Sequence, residues 1–219
     1  MTGRAMNTQQ LEHWQSIYRD KSEARTSWFR PHLDESLRLI DGLRLPVTTP
    51  LIDVGAGRST LVDDLLARGF SDICVLDIAE PALAASRTRL GTAAARVRWL
   101  DGDITQVDLP AEHFGLWHDR AVFHFLVDDE SRRRYVDSAA RCVRRGGYAI
   151  IATFSVGGPE RCSTLPVRRY DDSALSAEFA AYFAPVDRAS EQHITPWGAP
   201  QPFTYVVLHR TDTSSPSTC

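Results

Sequence analysis

The 219 residues are 43% hydrophobic and 24% charged, the balance of a folded globular chain with room for one α/β domain plus embellishments. A formal charge of -3 argues against nucleic-acid binding through bulk electrostatics and points to a small molecule or a specific protein as partner. No run of about 18 apolar residues marks a membrane-spanning helix. The first residues lack a signal-peptide core, and Cys74, Cys142, Cys162 and Cys219 form no C-x-x-C pair, so a reducing cytoplasm is the expected compartment.

Residues 9–20 place Leu11, Trp14 and Tyr18 at helical spacing, which predicts an amphipathic helix. In SWFRPHLDESLRLIDGL, Pro31 is placed to open a second helix and Gly42 to close it. Residues 1–46 are therefore expected as a helical cap, 47–210 as the main domain and 211–219 as a flexible tail. From PLIDVGAG onward, strands alternate with helices. STLVDDLLARG is a helix, DICVLDI a strand, and PALAASRTRLG a helix with Pro81 early and Gly91 at its end. RVRWL and FGLWHD are strands, DESRRRYVDSAARCVRRGG a helix running to its glycines, and YAIIATF a strand. This alternation means βαβ units around a parallel sheet. After Phe154, GGPERCSTLPVRRY reads as a loop and DDSALSAEFAAYF as a helix. VDRASEQHITPWGAPQPFTYVVLHR reads as two strands joined by a Pro/Gly turn. The expected fold is a Rossmann-like α/β three-layer sandwich with a seven-stranded, mostly parallel sheet and an antiparallel C-terminal pair.

Asp53-Val54-Gly55-Ala56-Gly57 lies between the first strand and its helix. Glycines there let backbone approach a ligand closely, and helix N-terminal amides favour anionic groups. Gly55 and Gly57 begin a G-x-G-x-x-G pattern, but Thr60 takes the third place, so a dinucleotide fingerprint is incomplete and a plain tight turn competes. Asp77 ends the second strand, where a carboxylate can accept both ribose hydroxyls of a nucleoside. LDGDI puts Asp103 where it could accept from an adenine amino group, with Asp101 as a competitor. Asp53 suits a ligand carrying a positive amine better than one carrying a pyrophosphate.

With Asp53/Gly55/Gly57, Asp77, Asp103 and Asp119 at successive strand ends, residues 48–155 resemble the class I S-adenosylmethionine-dependent methyltransferases. The resemblance implies S-adenosyl-L-methionine as cofactor. Gly55, Ala56 and Gly57 would line its methionine part, Asp77 would meet the ribose, Asp103 the adenine, and Ile104 and Ile78 would pack beside the adenine ring. The flanks are similar to a narrower bacterial group with WHDRAVFHFL and GPE.CS.LPV.RY motifs. That likeness rests on His13-Trp14, Ile17-Tyr18, Lys21, Ser27-Trp28, Gly158 to Tyr170 and His193 to Tyr205. The group often has Gly where this chain has Thr164.

Methyl transfer from a sulfonium is an in-line displacement in which the protein supplies positioning. A thiol needs only a field favouring its anion, a carboxylate needs no base, and an amine or hydroxyl needs a proton acceptor nearby. WHDRAVFHFL, residues 117–126, sets His118, Asp119, Arg120 and His124 in an apolar run. Asp119 ends the fourth strand, where open α/β sheets bind ligands. Strand alternation sends one of His118 and Asp119 toward the cleft and the other to a face of the sheet. His118, Asp119 and Arg120 are the candidate catalytic residues, with Asp119 also bordering the cofactor. His118 is a base or a packed brace, and Arg120 holds an anionic acceptor or pairs with Asp119.

The Asp-Arg pair also resembles that of the thiopurine-type methyltransferases. A related protein-lysine-methylating group has Asp-Lys there and another Asp five residues on, where this chain has His124. That substitution favours a small-molecule acceptor. A metal site lacks the H-E-x-x-H spacing and any cysteine pair. Trp14, Tyr18 and Trp28 form an aromatic lid suited to a sulfonium, or else staple the cap to the domain. Lys21 and Arg30 are placed to meet the methionine carboxylate. Cys162 is a redox thiol or a packing residue. His193, Thr195, Trp197 and Gln201 wall the acceptor pocket or form a structural turn. The expected function is methyl transfer to a small molecule, a soft nucleophile such as a thiol first, with no nucleic acid or membrane partner. The alternatives are a protein lysine methyltransferase and a catalytically silent nucleoside-binding module. Oligomeric state has no signature in the sequence.

Overall fold

The computed structural model describes residues 8–20 and 26–211. Helices α1 (Thr8–Asp20) and α2 (Asp34–Gly42) precede β1 (Leu51–Val54), α3 (Leu61–Ala67), β2 (Ile73–Asp77) and α4 (Glu80–Leu90). Then come β3 (Val97–Asp101), β4 (Phe114–Arg120), α5 (Asp129–Cys142) and β5 (Val143–Phe154). A small hairpin of β6 (Arg161–Cys162) and β7 (Leu165–Pro166) leads to α6 (Asp172–Phe179), β8 (Phe183–Ile194) and β9 (Pro200–Arg210). The main sheet has seven strands in the order β3-β2-β1-β4-β5-β9-β8. β1 to β5 run parallel, and β9 joins β5 and β8 antiparallel. This is the Rossmann-like sandwich expected from the alternation.

The two faces of the sheet follow the period of two along each strand. Leu51, Leu116 and Ile150 pack with α2 and α3, alongside Leu37, Ile40, Leu61 and Leu65. Ile52, Trp117 and Ile151 pack on the other side with Tyr135, Val136 and Ala139 of α5 and Phe179 of α6. α1 lies outside this sandwich, its Tyr18 packed with Ala79 and Ala82 at the start of α4.

Three local expectations need correction. Pro31 does not open α2, which begins at Asp34 after an N-cap at Leu33; the Pro31 carbonyl instead accepts from Thr60 Oγ1 at 2.7 Å. α5 ends at Cys142 rather than at the glycines. Val143 is extended and fully buried opposite Phe114, so core packing turns the chain into β5 before Gly146. The segment read as a loop after Phe154 contains the β6–β7 hairpin, whose turn residues Ser163 and Thr164 take φ of 48 and 70. No helix among the described residues is long and apolar enough to cross a membrane.

Candidate active site

The parallel strands β1 to β4 end along one edge of the sheet, and a cavity of about 980 Å3 opens there. That is the upper end of the range for a small-molecule site, enough for more than one ligand. Its first half is made of turns. Gly55 and Gly57 take φ of 63 and 56, the left-handed region that only glycine enters without strain. Space is as restrictive as conformation: a Cβ on Gly55 would lie 1.8 Å from Val122 Cγ2, and one on Gly57 would lie 2.3 Å from Tyr18 Oη. The Gly55 and Ala56 amides donate to Leu76 O at 2.7 and 3.2 Å, tying the loop to β2.

Asp77 closes β2 and lines the cavity. Its carboxylate accepts from the Gly57 amide at 2.7 Å and the Ala79 amide at 2.8 Å. Burial pushes its pKa up to about 6, against the pull of those two amides. Ile78, Asp103 and Ile104 line the same half, whereas Asp101 is exposed and outside it. Asp103 Oδ1 accepts from the Thr105 amide and hydroxyl, both at 2.8 Å, and Oδ2 from Gln106 Nε2 at 3.0 Å. Of the two acids, Asp103 is the one that lines the cavity.

Asp53 and His118 are neighbours in register across β1 and β4. His118 Nδ1 lies 2.7 Å from Asp53 Oδ1 and Nε2 lies 2.9 Å from Ser36 Oγ of α2. Both residues are buried, and neither lines the large cavity. They border a smaller pocket of about 50 Å3 with Gly55, Ala56, Trp28, Arg58 and Arg120. Asp53 Oδ2 has no hydrogen-bond partner among the described residues, a costly state for a buried carboxylate oxygen and one that suits a ligand ammonium. Asp77 beside the glycine loop and this orphaned oxygen are the observations that fit a nucleoside bearing a positive amine.

Alternation places Asp119 on the α5 face. It is fully buried, and its carboxylate accepts from the amides of Val122 and Phe123 at 2.8 and 3.0 Å and from the Tyr135 hydroxyl at 2.5 Å. Tyr135 in turn accepts from Trp117 Nε1 at 2.9 Å. Burial pushes Asp119 up to about 6. Asp119 does not line the cavity and does not pair with Arg120. Neither it nor His118 points into the cleft, because each parity of the strand is covered by a helix. Tyr135, which anchors this turn, had no signal in the sequence beyond a core position on an amphipathic helix.

Arg120, one residue further, does reach the cavity. Its guanidinium sits 4.1 Å from the Phe203 ring centroid. Nε donates to Tyr205 Oη at 3.0 Å, and Nη2 lies 3.3 Å from Glu191 Oε2. Glu191 also receives the Tyr205 hydroxyl at 2.6 Å and Arg30 Nη1 at 2.6 Å, while Arg30 Nη2 meets Asp34 at 3.1 Å. Burial raises the Glu191 carboxyl, but Arg120, Tyr205 and Arg30 outweigh it and hold the pKa below the ordinary glutamate value. Glu191 carried no motif and was missed from the sequence.

Phe154, Phe203, Cys162 and Phe125 line this second half, and Trp14, Tyr18 and Trp28 line the cavity from the cap. Trp14 meets Phe125 and Trp28 at ring-centroid distances of 5.1 and 5.8 Å. Arg58 donates to the Tyr18 carbonyl and lies 5.6 Å from its ring. Lys21 lies outside the described residues. His124 is buried, accepts from the Phe154 amide at 3.3 Å and does not line the cavity; burial and Arg120 push its pKa down to about 3. His193 is buried and donates through Nε2 to Ser27 O at 2.5 Å, Thr195 caps its own turn, Gln201 is buried and Trp197 is exposed. None of these four lines the cavity.

Residues 52–151, from β1 to near the end of β5, match the methyltransferase domain family. The match supports an S-adenosylmethionine-dependent methyltransferase. The eEF1A lysine and N-terminal methyltransferase of Mus musculus is 24% identical over 154 residues, 70% of this chain but 21% of that protein; the chain spans about a fifth of the length of such relatives. Among solved structures, one from the conversion of a disulfide bond into a thioacetal group during echinomycin biosynthesis superposes with a TM-score of 0.74. It is 19% identical and covers 94% of both chains. The Burkholderia thailandensis 1,6-didemethyltoxoflavin-N1-methyltransferase, with 1,6-didemethyltoxoflavin and S-adenosylhomocysteine bound, gives a TM-score of 0.67 at 21% identity, covering 97% and 93%. The family match and this ligand-bound neighbour support S-adenosylmethionine as the cofactor.

Proposed function

We propose that the chain transfers a methyl group from S-adenosylmethionine to a small-molecule acceptor, with residues 47–210 as the methyltransferase domain and 1–46 as its cap. The observation that carries this reading is the two-part cavity: nucleoside-type turns on β1 to β3, and under the cap a wall of Arg120 at the end of β4, Phe125 just beyond it, Phe154 of β5 and Phe203 of β9. When bound, the cofactor supplies an electrophilic methyl carbon on a sulfonium. Asp77 would accept the ribose hydroxyls, Asp103 and Ile104 would meet the adenine, and Asp53 Oδ2 would take the methionine ammonium. His118 braces Asp53, and Asp119 holds the turn that presents Val122 against Gly55.

No histidine lines the cavity among the described residues. An acceptor atom that reacts without a general base fits that wall, a soft atom such as a thiol sulfur first. The lysine-methyltransferase relative favours a second reading, a protein lysine acceptor. His124, neutral and outside the cavity, offers no carboxylate to an incoming ammonium, which weighs against it. Titration calorimetry should show S-adenosylhomocysteine binding; tight binding of NAD in its place overturns the assignment. Labelled cofactor offered separately to thiols, carboxylic acids and protein lysates should label the thiol panel. Label on lysate protein alone would establish the second reading.

A further inference from the structure

We infer that Glu191 sets the charge preference of the acceptor subsite, making it a site for an uncharged, flat aromatic ring. The inference rests on the methyl-transfer reading above and concerns the half of the cavity that the cofactor turns do not form. Phe154, Phe203 and Phe125 line that half, with Trp14 and Trp28 from the cap. Phe154 and Phe203 are edge to face, at 4.9 Å between centroids and 68°. Such walls favour a flat ring over an aliphatic chain.

Arg120 is the buried cation of this half, at 5% side-chain exposure. A buried guanidinium in an aromatic cleft would ordinarily recruit a carboxylate or phosphate. Here a partner is built in. Asp34, Arg30, Glu191 and Arg120 form an alternating chain with links of 3.1, 2.6 and 3.3 Å, whose formal charges cancel. Glu191 is nearly buried, at 9% side-chain exposure, and Tyr205 donates to it as well. Arg120 Nε and Nη2 are committed to Glu191 and Tyr205, and Nη1 makes none of these bonds. That leaves a hydrogen-bond donor for a neutral acceptor atom, a ring nitrogen or a thiocarbonyl, without an uncompensated positive charge. An anionic ring would have to compete with a carboxylate held by three partners, and would repel it at close range. Glu191 is thus a positioning and specificity-determining residue acting through Arg120, since Glu191 does not line the cavity.

The test uses the full chain loaded with S-adenosylhomocysteine and two probes of one shape: 2-mercaptobenzimidazole, neutral at pH 7, and its 5-carboxylate. Calorimetry should show the neutral probe binding at least tenfold tighter. Glu191→Gln uncovers Arg120 and should shift the affinity ratio toward the carboxylate by about tenfold or more. Glu191→Gln combined with Arg120→Gln should restore the preference for the neutral probe. A variant that merely loosened the fold would weaken both probes together, and its S-adenosylhomocysteine affinity would fall in parallel. Equal or tighter binding of the carboxylate to the parent protein overturns the inference. So does an unchanged ratio in Glu191→Gln, or no binding of either probe to the cofactor-loaded protein. If S-adenosylhomocysteine itself does not bind, the methyl-transfer reading has failed first.

Discussion

The two halves of the cavity are built by different means. On β1 to β3, the lining comes from short contiguous turns whose backbone does much of the work, as in Gly55 and the amides of Gly57 and Ala79 that hold Asp77. On β4, β5 and β9, the wall is assembled from side chains far apart in sequence, with Arg120 held by a glutamate 71 residues away and that glutamate held by Arg30 across 161. A turn of fixed shape can be reused for one cofactor, whereas a wall of side chains can change its ligand through single substitutions. The first half should therefore break all at once, and the second should shift in preference.

Asp77→Ala is the largest expected effect. It removes the proposed ribose acceptor and the partner of two amides, and should cost at least 100-fold in S-adenosylhomocysteine affinity by calorimetry, about 2.7 kcal/mol. The pH dependence has a definite sign. With its pKa raised to about 6, Asp77 is ionised above that value and protonated below it, and the ionised form is the better acceptor for hydroxyls. Affinity should be level between pH 7.5 and 8 and fall about tenfold from pH 7 to pH 5. An affinity that rises on acidification would show that Asp77 is not the acceptor.

The same contrast explains what the amino-acid sequence makes legible. Each of the seven strands, the antiparallel last pair included, and each turn that ends β1 to β3 is encoded in a contiguous run of 12 residues or fewer, where period-two burial and glycine placement speak directly. Glu191 is invisible in such a window: β8 alternates as an edge strand, and only the folded sheet brings that residue to Arg120. His118 and Asp119 are adjacent in sequence, but whether either meets the cleft depends on the helices above and below, and neither does. α2 covers one and α5 the other. The RRGG run looks like a helix terminus, but α5 ends earlier, at Cys142, because burial of Val143 decides the outcome.

Tyr135→Phe probes the support beneath the cofactor half. It removes the hydroxyl that donates to Asp119 and accepts from Trp117, leaving two buried groups short of a partner. The expected loss is about 1–3 kcal/mol, or roughly 2–10 °C in melting temperature for a domain of this size. S-adenosylhomocysteine affinity should stay within about threefold. His118 then separates brace from base. His118→Leu strips Asp53 of its partner and should raise the cofactor KM about tenfold with kcat nearly unchanged. His118→Asn can still donate to Asp53 and should restore that KM. A general base cannot be replaced by an amide, so a 100-fold fall in kcat for both variants would make His118 the base.

The smallest expected effect is a gain, and it falls in the wall of the second half. Thr164 sits at φ 70 in the turn of the β6–β7 hairpin, behind Ser163 at φ 48. Two-residue hairpins of this twist favour glycine or asparagine, and a β-branched residue in the left-handed region costs about 1–2 kcal/mol. Arg161 offsets part of that by donating from Nε and Nη2 to the Thr164 carbonyl at 2.9 and 2.6 Å, bonds that a glycine would keep. Thr164→Gly relieves the strain but adds unfolded-state entropy worth about 0.5–1 kcal/mol. The net gain should be about 0.5–1 kcal/mol, a rise of roughly 1–4 °C. Cys162, which this hairpin delivers to the cavity, should keep its place, so cofactor affinity should not move. A fall in melting temperature would mean that the threonine side chain holds the turn in a way its backbone angle conceals.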